Sequence, residues 1–143
     1  HSKGDLNNYL YGGGVPLRLM NSKEDAKIGF IEMNGREVFK FATKTVPAAI
    51  EELLEKNGYT LDDIDMFVCH QANERIIESS AKKLGLSMDK MFVDIAEYGN
   101  TSAASVPIAL DDALKQKVVK KGDLIVIVAF GGGFTWSSSL IRL

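Results

Sequence analysis

The chain has 143 residues, of which 45% are hydrophobic and 25% charged, and its formal net charge is −2. This length fits one domain with a substantial apolar core. The slightly acidic balance excludes a nucleic-acid binder that depends on global electrostatics, and no apolar run approaches the roughly 20 residues that cross a bilayer. A single cysteine excludes an internal disulfide, and no Cys and His residues have zinc-ligand spacing, so we expect a metal-free protein of the reducing cytoplasm.

The amino-terminal stretch has the weakest secondary-structure pattern. Gly12-Gly13-Gly14 and Pro16 are followed by a polar run over 21–25, which is typical of loops. No Gly-Lys-Ser/Thr follows the glycines, so a surface loop is favoured over a phosphate-binding loop. We therefore predict a loop-rich segment over residues 1–25 and a folded domain over 26–143.

A long helix is predicted to start at Gly35. Apolar residues recur at three- and four-residue spacing and form one stripe. Pro47 predicts a kink or a break in this helix, and Gly58 is well placed to end it. The stripe consists of Val38, Phe39, Ala42, Val46, Ala49, Ile50, Leu53 and Leu54.

A short buried strand is predicted next, over residues 66–69. Thr60 and Asp63 have the spacing of a helix-capping box, so a brief helical turn should precede it. The strand is apolar and delivers His70 at its carboxyl end. Because ligands in open α/β sheets gather beyond the carboxyl ends of strands, His70 stands where chemistry is usually done.

The remaining pattern alternates helices and strands. We predict a helix over 73–84, a short strand over 91–95, a helix over 102–117, a buried strand over 124–130 and a returning strand over 134–143. This order predicts an α/β domain with a mixed sheet and helices packed on it. The residues expected to face inward from the two helices are Ile76, Ile77, Ala81, Leu84, Val106, Leu110, Ala113 and Leu114.

Two side chains, His70 and Asn100, are candidates for chemistry. Each alone has a common structural explanation, since a histidine at a strand end is often a satisfied core residue and an asparagine before a helix is often a cap. Together, a neutral histidine Nε2–H and an asparagine amide can donate to one developing oxyanion. Neither group is a nucleophile, so such a pair supports a reaction whose attacking group comes from elsewhere.

Three further residues lie beside these candidates. A backbone N–H of the run Gly131-Gly132-Gly133 is a candidate oxyanion donor, although such runs are usually tight turns. Phe130 is placed either to orient the imidazole or simply to pack in the core. Cys69 is adjacent to His70, but neighbouring strand residues point to opposite faces, so we interpret Cys69 as a buried, inert thiol.

Basic residues follow His70 on the same predicted helix. Arg75, Lys82 and Lys83 are seven and eight positions apart and share roughly one face. Most such runs are only solvated. Because this one begins beside His70, we also consider a patch that steers an acidic partner towards the site.

Three motifs carry a resemblance to a known family. They read His70-Gln71-Ala72-Asn73 with Arg75-Ile76-Ile77, Gly99-Asn100-Thr101-Ser102-Ala103-Ala104-Ser105 with Pro107, and Ala129-Phe130-Gly131-Gly132-Gly133-Phe134-Thr135-Trp136. In this order they resemble 3-oxoacyl-[acyl-carrier-protein] synthase III, the condensing enzyme that starts type II fatty-acid synthesis. The similarity extends from about Gly35 to Leu143.

The resemblance implies a thiolase-like fold of two similar halves, of which this chain is the carboxyl-terminal one. Family enzymes use a Cys-His-Asn triad, and His70 and Asn100 match its last two members. The nucleophilic cysteine belongs to the amino-terminal half and receives a short acyl group from coenzyme A. Malonyl-[acyl-carrier-protein] then loses carbon dioxide, and its carbanion attacks the acyl-cysteine while the histidine and asparagine stabilise negative charge.

The resemblance also implies roles for the other residues. Gly132 corresponds to a backbone oxyanion donor with Phe130 shaping the site, and Asn73, Phe39 and Gly35 match positions along the pantetheine tunnel. The basic surface that meets acyl carrier protein corresponds to Arg75, Lys82, Lys83 and Lys40. The expected partners are acyl carrier protein, the amino-terminal half and, in a homodimer, a second copy; no bound cofactor is implied.

Two alternatives stay open at this point. One is a stand-alone module that binds carrier protein or coenzyme A without catalysis. The other is a related condensing enzyme of polyketide or quinolone synthesis.

Overall fold

A computed structural model of the chain describes residues 1–12 and 31–143. The strands are β1 (Leu10–Gly12), β2 (Ile31–Met33), β3 (Met66–Cys69), β4 (Met91–Phe92), β5 (Leu124–Gly131) and β6 (Thr135–Arg142). The helices are α1 (Gly35–Asn57), α2 (Glu74–Leu84), α3 (Ile95–Tyr98) and α4 (Ser105–Lys115). Strands β4-β3-β5-β6 form the main sheet in that order, and β1 pairs antiparallel with β2. The main sheet is mixed, as predicted, because β3 runs parallel to both neighbours and β6 returns antiparallel to β5.

The main sheet has an apolar core on each face. On one face, Phe67 and Cys69 of β3 pack with buried residues of α1 and α2. On the other face, Met66 and Val68 pack with Ala109 and other residues from α4. This alternation follows from the two-residue period of a strand. Cys69 therefore lies in the core beneath α1 and α2, away from α4.

Helix α1 continues unbroken through Pro47, so of the predicted kink or break the break is wrong, and the kink stays a prediction. Proline has no N–H to donate to the carbonyl four residues earlier, which belongs to Thr43. The ammonium group of Lys83 on α2 donates to that carbonyl, with the two atoms 2.8 Å apart. A neighbouring helix thus replaces the hydrogen bond that Pro47 removes. Gly58 ends the helix in a left-handed conformation (φ 71°), as predicted.

The local signals around β3 are confirmed. Thr60 and Asp63 form the reciprocal capping box ahead of a 3-10 turn over Leu61–Asp63. Asn73 caps α2 by accepting a hydrogen bond from the Arg75 N–H at 3.0 Å. The four residues of α2 predicted to face inward are all buried.

Two predicted elements are corrected. The strand predicted over 91–95 covers only Met91–Phe92, because the buried Gln71 side chain accepts from the Asp94 N–H (3.2 Å) and donates to the Phe92 carbonyl (3.1 Å). These side-chain bonds replace further strand pairing, and α3 follows. The helix predicted over 102–117 begins as a 3-10 turn over Ser102–Ala104 before α4.

The inward-facing set of α4 also needs correction. Ala113 is fully buried and Val106 and Leu110 are half-buried, but 42% of Leu114 is exposed. The prediction that Leu114 faces inward is therefore wrong in this chain.

The described part of the amino-terminal segment contains a 3-10 helix over Gly4–Tyr9 and strand β1. Most of the loop predicted over 1–25, including Gly13, Gly14 and Pro16, lies outside the described residues. The boundary at residue 26 lies outside them too and stays a prediction. No helix within residues 1–12 and 31–143 combines the length and apolarity needed to span a bilayer.

Candidate active site

His70 is held at the carboxyl end of β3 by both its backbone and its ring. Its N–H donates to the Val128 carbonyl of the adjacent β5 at 2.8 Å. The ring of Phe130 meets the imidazole edge to face, with the ring centroids 5.4 Å apart. Phe130 is itself buried, so it fixes one side of the histidine.

The imidazole Nδ1 lies 2.5 Å from the hydroxyl oxygen of Ser105, the first residue of α4. The same oxygen accepts a hydrogen bond from the Gln71 N–H at 3.3 Å. Partial burial lowers the pKa of His70 below its ordinary value, because desolvation disfavours the imidazolium. The ring is therefore neutral at pH 7, with Nδ1 engaged and Nε2 left for other partners.

Asn100 sits in the loop between α3 and α4. Its side-chain oxygen accepts a hydrogen bond from the Ser102 N–H at 3.0 Å, and Ser102 has a positive φ of 54°. This bond occupies the carboxamide oxygen and leaves the NH2 group as a donor. The asparagine thus makes the local turn expected of a cap and still presents two N–H bonds.

A cavity of about 950 Å³ with a mainly apolar lining lies beside these groups. Both His70 and Asn100 line it. The other predicted site residues that line it are Gly35, Phe39, Asn73, Phe130 and Gly132. Its volume is in the range of small-molecule and cofactor sites, which are mostly apolar with a few convergent polar groups.

Sequence reasoning missed two residues that support this site, Ser105 and Gln71. Both lie inside the motifs quoted above, but neither was assigned a role. A serine at a helix start resembles a cap, and a glutamine after a strand has no typical role. The hydrogen-bond partners of Ser105 lie 34 and 35 positions away, and no local sequence pattern predicts them.

Cys69 is 3% exposed, and burial raises the pKa of its thiol to about 12. The nucleophilic form of cysteine is the thiolate, so this residue is inert near neutral pH. The interpretation of Cys69 as a core thiol agrees with both observations.

None of the four predicted carrier-protein residues lines the cavity, as far as the described residues outline it. Arg75, Lys82 and Lys83 are exposed on α2, and Lys40 is exposed on α1, where it pairs with Glu37 at 3.2 Å. The Lys83 ammonium is already bonded to α1, as described above.

Comparison with solved structures shows which class of fold the chain has. Over its full length it is similar to crystal structures of the 3-oxoacyl-[acyl-carrier-protein] synthases III of Aquifex aeolicus (TM-score 0.88, 41% identity) and Thermus thermophilus (TM-score 0.88, 38% identity). It covers 42% and 44% of those chains, respectively. The fold is accordingly thiolase-like, with the mixed sheet and packed helices that the sequence predicted.

Sequence comparison identifies the family. Residues 54–143 match the domain described as 3-oxoacyl-[acyl-carrier-protein (ACP)] synthase III C terminal. The beta-ketoacyl-[acyl-carrier-protein] synthase III of Natranaerobius thermophilus is 48% identical over an alignment of 144 positions, which covers 99% of this chain and 43% of that protein. The chain belongs to the 3-oxoacyl-[acyl-carrier-protein] synthase III family, and it spans less than half the length of these relatives.

Proposed function

We propose that this chain is the carboxyl-terminal catalytic half of a 3-oxoacyl-[acyl-carrier-protein] synthase III. The complete enzyme would condense an acyl-coenzyme A primer with malonyl-[acyl-carrier-protein] to begin fatty-acid synthesis. One observation carries the proposal: His70 and Asn100, both donors and neither a nucleophile, line a single apolar cavity in a member of this family. This arrangement suits a reaction that develops negative charge on oxygen.

The condensation divides into a decarboxylation and an attack. When the bond between the malonyl carbon and its carboxylate breaks, the electron pair moves onto the thioester oxygen and carbon dioxide leaves. His70 Nε2–H and the Asn100 NH2 group donate to that oxygen and lower the energy of the enolate. The enolate carbon then attacks the acyl-thioester carbonyl, and the cysteine thiolate departs. In this step the Gly132 N–H would stabilise the carbonyl oxygen.

The attacking sulfur would come from a part of the protein outside this chain. Cys69 is the one cysteine in the sequence, and its buried thiol stays protonated near pH 7. A cysteine that receives an acyl group must be exposed to the substrate and activated as a thiolate. A second half that supplies this cysteine completes the triad.

The remaining residues would bind the substrates. Gly35, Phe39 and Asn73 line the cavity and would contact the pantetheine arm that coenzyme A and acyl carrier protein share. The exposed cations Arg75, Lys82, Lys83 and Lys40 would attract the acidic carrier protein and speed its association. This assignment needs no bound cofactor and fits a homodimeric enzyme of the cytoplasm.

The test uses the full-length polypeptide that contains this chain. Replacing His70 or Asn100 with alanine removes one donor and should lower the rate of malonyl-[acyl-carrier-protein] decarboxylation about 100- to 1000-fold. Acylation of the nucleophilic cysteine by labelled acyl-coenzyme A should persist, since neither residue is assigned to that step. Asn57→Ala, at the exposed end of α1, is the matched control and should retain activity.

Two results would contradict the proposal. One is undiminished condensation by both the His70 and the Asn100 variants. The other is an acyl label on the peptide that contains Cys69. Tight binding of coenzyme A without condensation by the full-length protein would instead favour the non-catalytic binding module.

A further inference from the structure

We propose that Ser105 is a positioning residue whose hydroxyl donates to Nδ1 of His70 and thereby holds the imidazole in its Nε2–H tautomer. The catalytic consequence of this inference rests on the proposed function, but the tautomer itself does not. Ser105 lines no part of the cavity outlined by the described residues, so it would act through His70 and not on substrate.

The direction of the hydrogen bond between Ser105 and His70 follows from the donors and acceptors available at the serine hydroxyl. A hydroxyl has one hydrogen and two lone pairs. The Gln71 N–H already donates to this oxygen, and the described residues provide it with one further partner, His70 Nδ1. If Nδ1 carried the proton and donated, the serine hydrogen would be left without an acceptor in a side chain that is 2% exposed. A buried unpaired donor costs about 1–3 kcal/mol, so the serine donates.

Gln71 holds the serine oxygen in place from the opposite side. Its side-chain NH2 group donates to the carbonyls of Cys69 at 2.9 Å and Phe92 at 3.1 Å, while its side-chain oxygen accepts from the Asp94 N–H at 3.2 Å. These bonds tie the ends of β3 and β4 together and leave the Gln71 side chain 1% exposed. The backbone N–H that faces Ser105 therefore has a fixed position.

The tautomer determines what His70 presents to the cavity. With Nδ1 accepting from Ser105, the ring proton is on Nε2, which can donate to a negative oxygen. In the opposite tautomer Nε2 would carry a lone pair, which would repel an enolate oxygen. Burial also keeps the ring neutral, so this single N–H would be the hydrogen that the imidazole contributes to the site.

The direct test is nitrogen NMR on the full-length protein labelled with 15N-histidine, without substrate. A His70→Gln spectrum assigns the resonances. At a pH above the pKa of the ring, we expect Nδ1 of His70 to have the chemical shift of an unprotonated, hydrogen-bonded nitrogen. Nε2 should have the chemical shift of a protonated nitrogen. The reverse pattern in the unsubstituted protein would overturn the proposal, and this measurement needs no variant of Ser105.

A second measurement connects the tautomer to the rate. Ser105→Ala removes the donor, so the two His70 nitrogens should shift towards a mixture of tautomers and kcat for decarboxylation should fall about 10- to 100-fold, less than on loss of a whole oxyanion donor. KM should change little, because Ser105 does not contact substrate. Ser80→Ala is the matched control: Ser80 is also buried on a helix, and its hydroxyl donates to the Ile76 carbonyl at 2.7 Å and not to His70.

The outcomes separate this inference from the proposed function. If the Ser105→Ala spectrum retains a pure Nε2–H tautomer, the serine does not position the ring, whatever the activity. If the tautomer shifts as expected but the unsubstituted protein catalyses no condensation, the proposed function fails and the role of Ser105 stands. An equal fall in kcat for the Ser80→Ala control would show that a general loss of packing explains the rate.

Discussion

At the scale of single residues, the site orients two side chains, His70 and Asn100, that can each donate or accept a hydrogen bond. An imidazole and a carboxamide each present a donor and an acceptor, and under the proposed function only the donors suit an enolate. In each case a partner occupies the acceptor: the Ser102 N–H donates to the Asn100 side-chain oxygen, and the Ser105 hydroxyl is the proposed donor to His70 Nδ1. Ser102 adopts a positive φ to make this contact, a conformation that costs of order 1 kcal/mol or more for a non-glycine residue. The hydrogen bond that orients the Asn100 side chain therefore comes with local backbone strain at Ser102.

The state of His70 gives a prediction on pH. Its pKa is lowered in the folded protein by burial, so the unfolded chain binds the proton more readily. Stability should therefore fall as the pH drops below the unfolded value of about 6.5 and through the lower folded pKa, by at most about 1.4 kcal/mol per pH unit for one proton. An NMR titration of the His70 ring should show protonation below pH 6.5. Protonation above that value would contradict the burial argument.

At the scale of elements, helix α1 depends on α2 for its continuity. Pro47 leaves the Thr43 carbonyl without its helical donor, and Lys83 supplies one from the neighbouring helix. This contact accounts for the unbroken helix, and the shared apolar core packs α1 on α2. The contact also means that Lys83 has a structural partner within the described residues, whereas the exposed Lys82 and Arg75 were assigned only the carrier-protein contact of the proposed function.

Methionine in place of Lys83 tests this dependence. Lys83→Met keeps most of the apolar stem but removes the ammonium, so the Thr43 carbonyl loses its partner and the free energy of unfolding should fall by about 1–2 kcal/mol. Lys82→Met, one residue earlier and also exposed, should change it by less than about 0.5 kcal/mol. Denaturant unfolding measures both.

A double-mutant cycle sharpens the test. Pro47→Ala restores a backbone N–H for the Thr43 carbonyl, so Lys83→Met should cost clearly less in that background. Equal costs in the two backgrounds would mean that Lys83 does not compensate for the proline.

At the scale of the whole molecule, the cavity is assembled between two sheets. The amino-terminal segment is tied to the turn between β5 and β6 by two backbone hydrogen bonds between Lys3 and Phe134, at 2.7 and 2.9 Å. The Leu10 carbonyl of β1 lies so close to Gly132 that an added Cβ would sit 3.2 Å from its oxygen. Leu10 and Gly132 both line the cavity, so the position of the small sheet bears on the site.

The glycine run provides a matched pair of variants. Gly132→Ala should push the Leu10 carbonyl away by a few tenths of an ångström and lower the free energy of unfolding by about 1–3 kcal/mol, as overpacked substitutions do. Gly131→Ala places its Cβ 4.0 Å from the Thr135 hydroxyl, an ordinary contact, and should cost less. Thermal unfolding compares the two, and equal losses would show that the approach of β1 does not constrain Gly132.

Most of the local structure could be predicted from the sequence. The apolar period of α2, the capping box at Thr60 and the left-handed glycine at position 58 each act over a few residues. Signals of this kind do not depend on what packs against them. The same holds for His70, because a short apolar run followed by a polar residue identifies a strand end.

The tertiary structure decided the contacts between distant positions. Ser105 meets His70 across 35 positions, and Lys83 meets Thr43 across 40. Gln71 ends β4 early by bonding to Phe92 and Asp94, and Leu114 is exposed although its spacing predicts burial. Helical and strand periods specify which faces of an element are apolar, but hydrogen-bond partners depend on how the packed elements are aligned. For this chain, the sequence alone determined most of the elements and the family and placed His70 at a strand end, whereas packing decided which atoms of His70 and Asn100 stay free to donate.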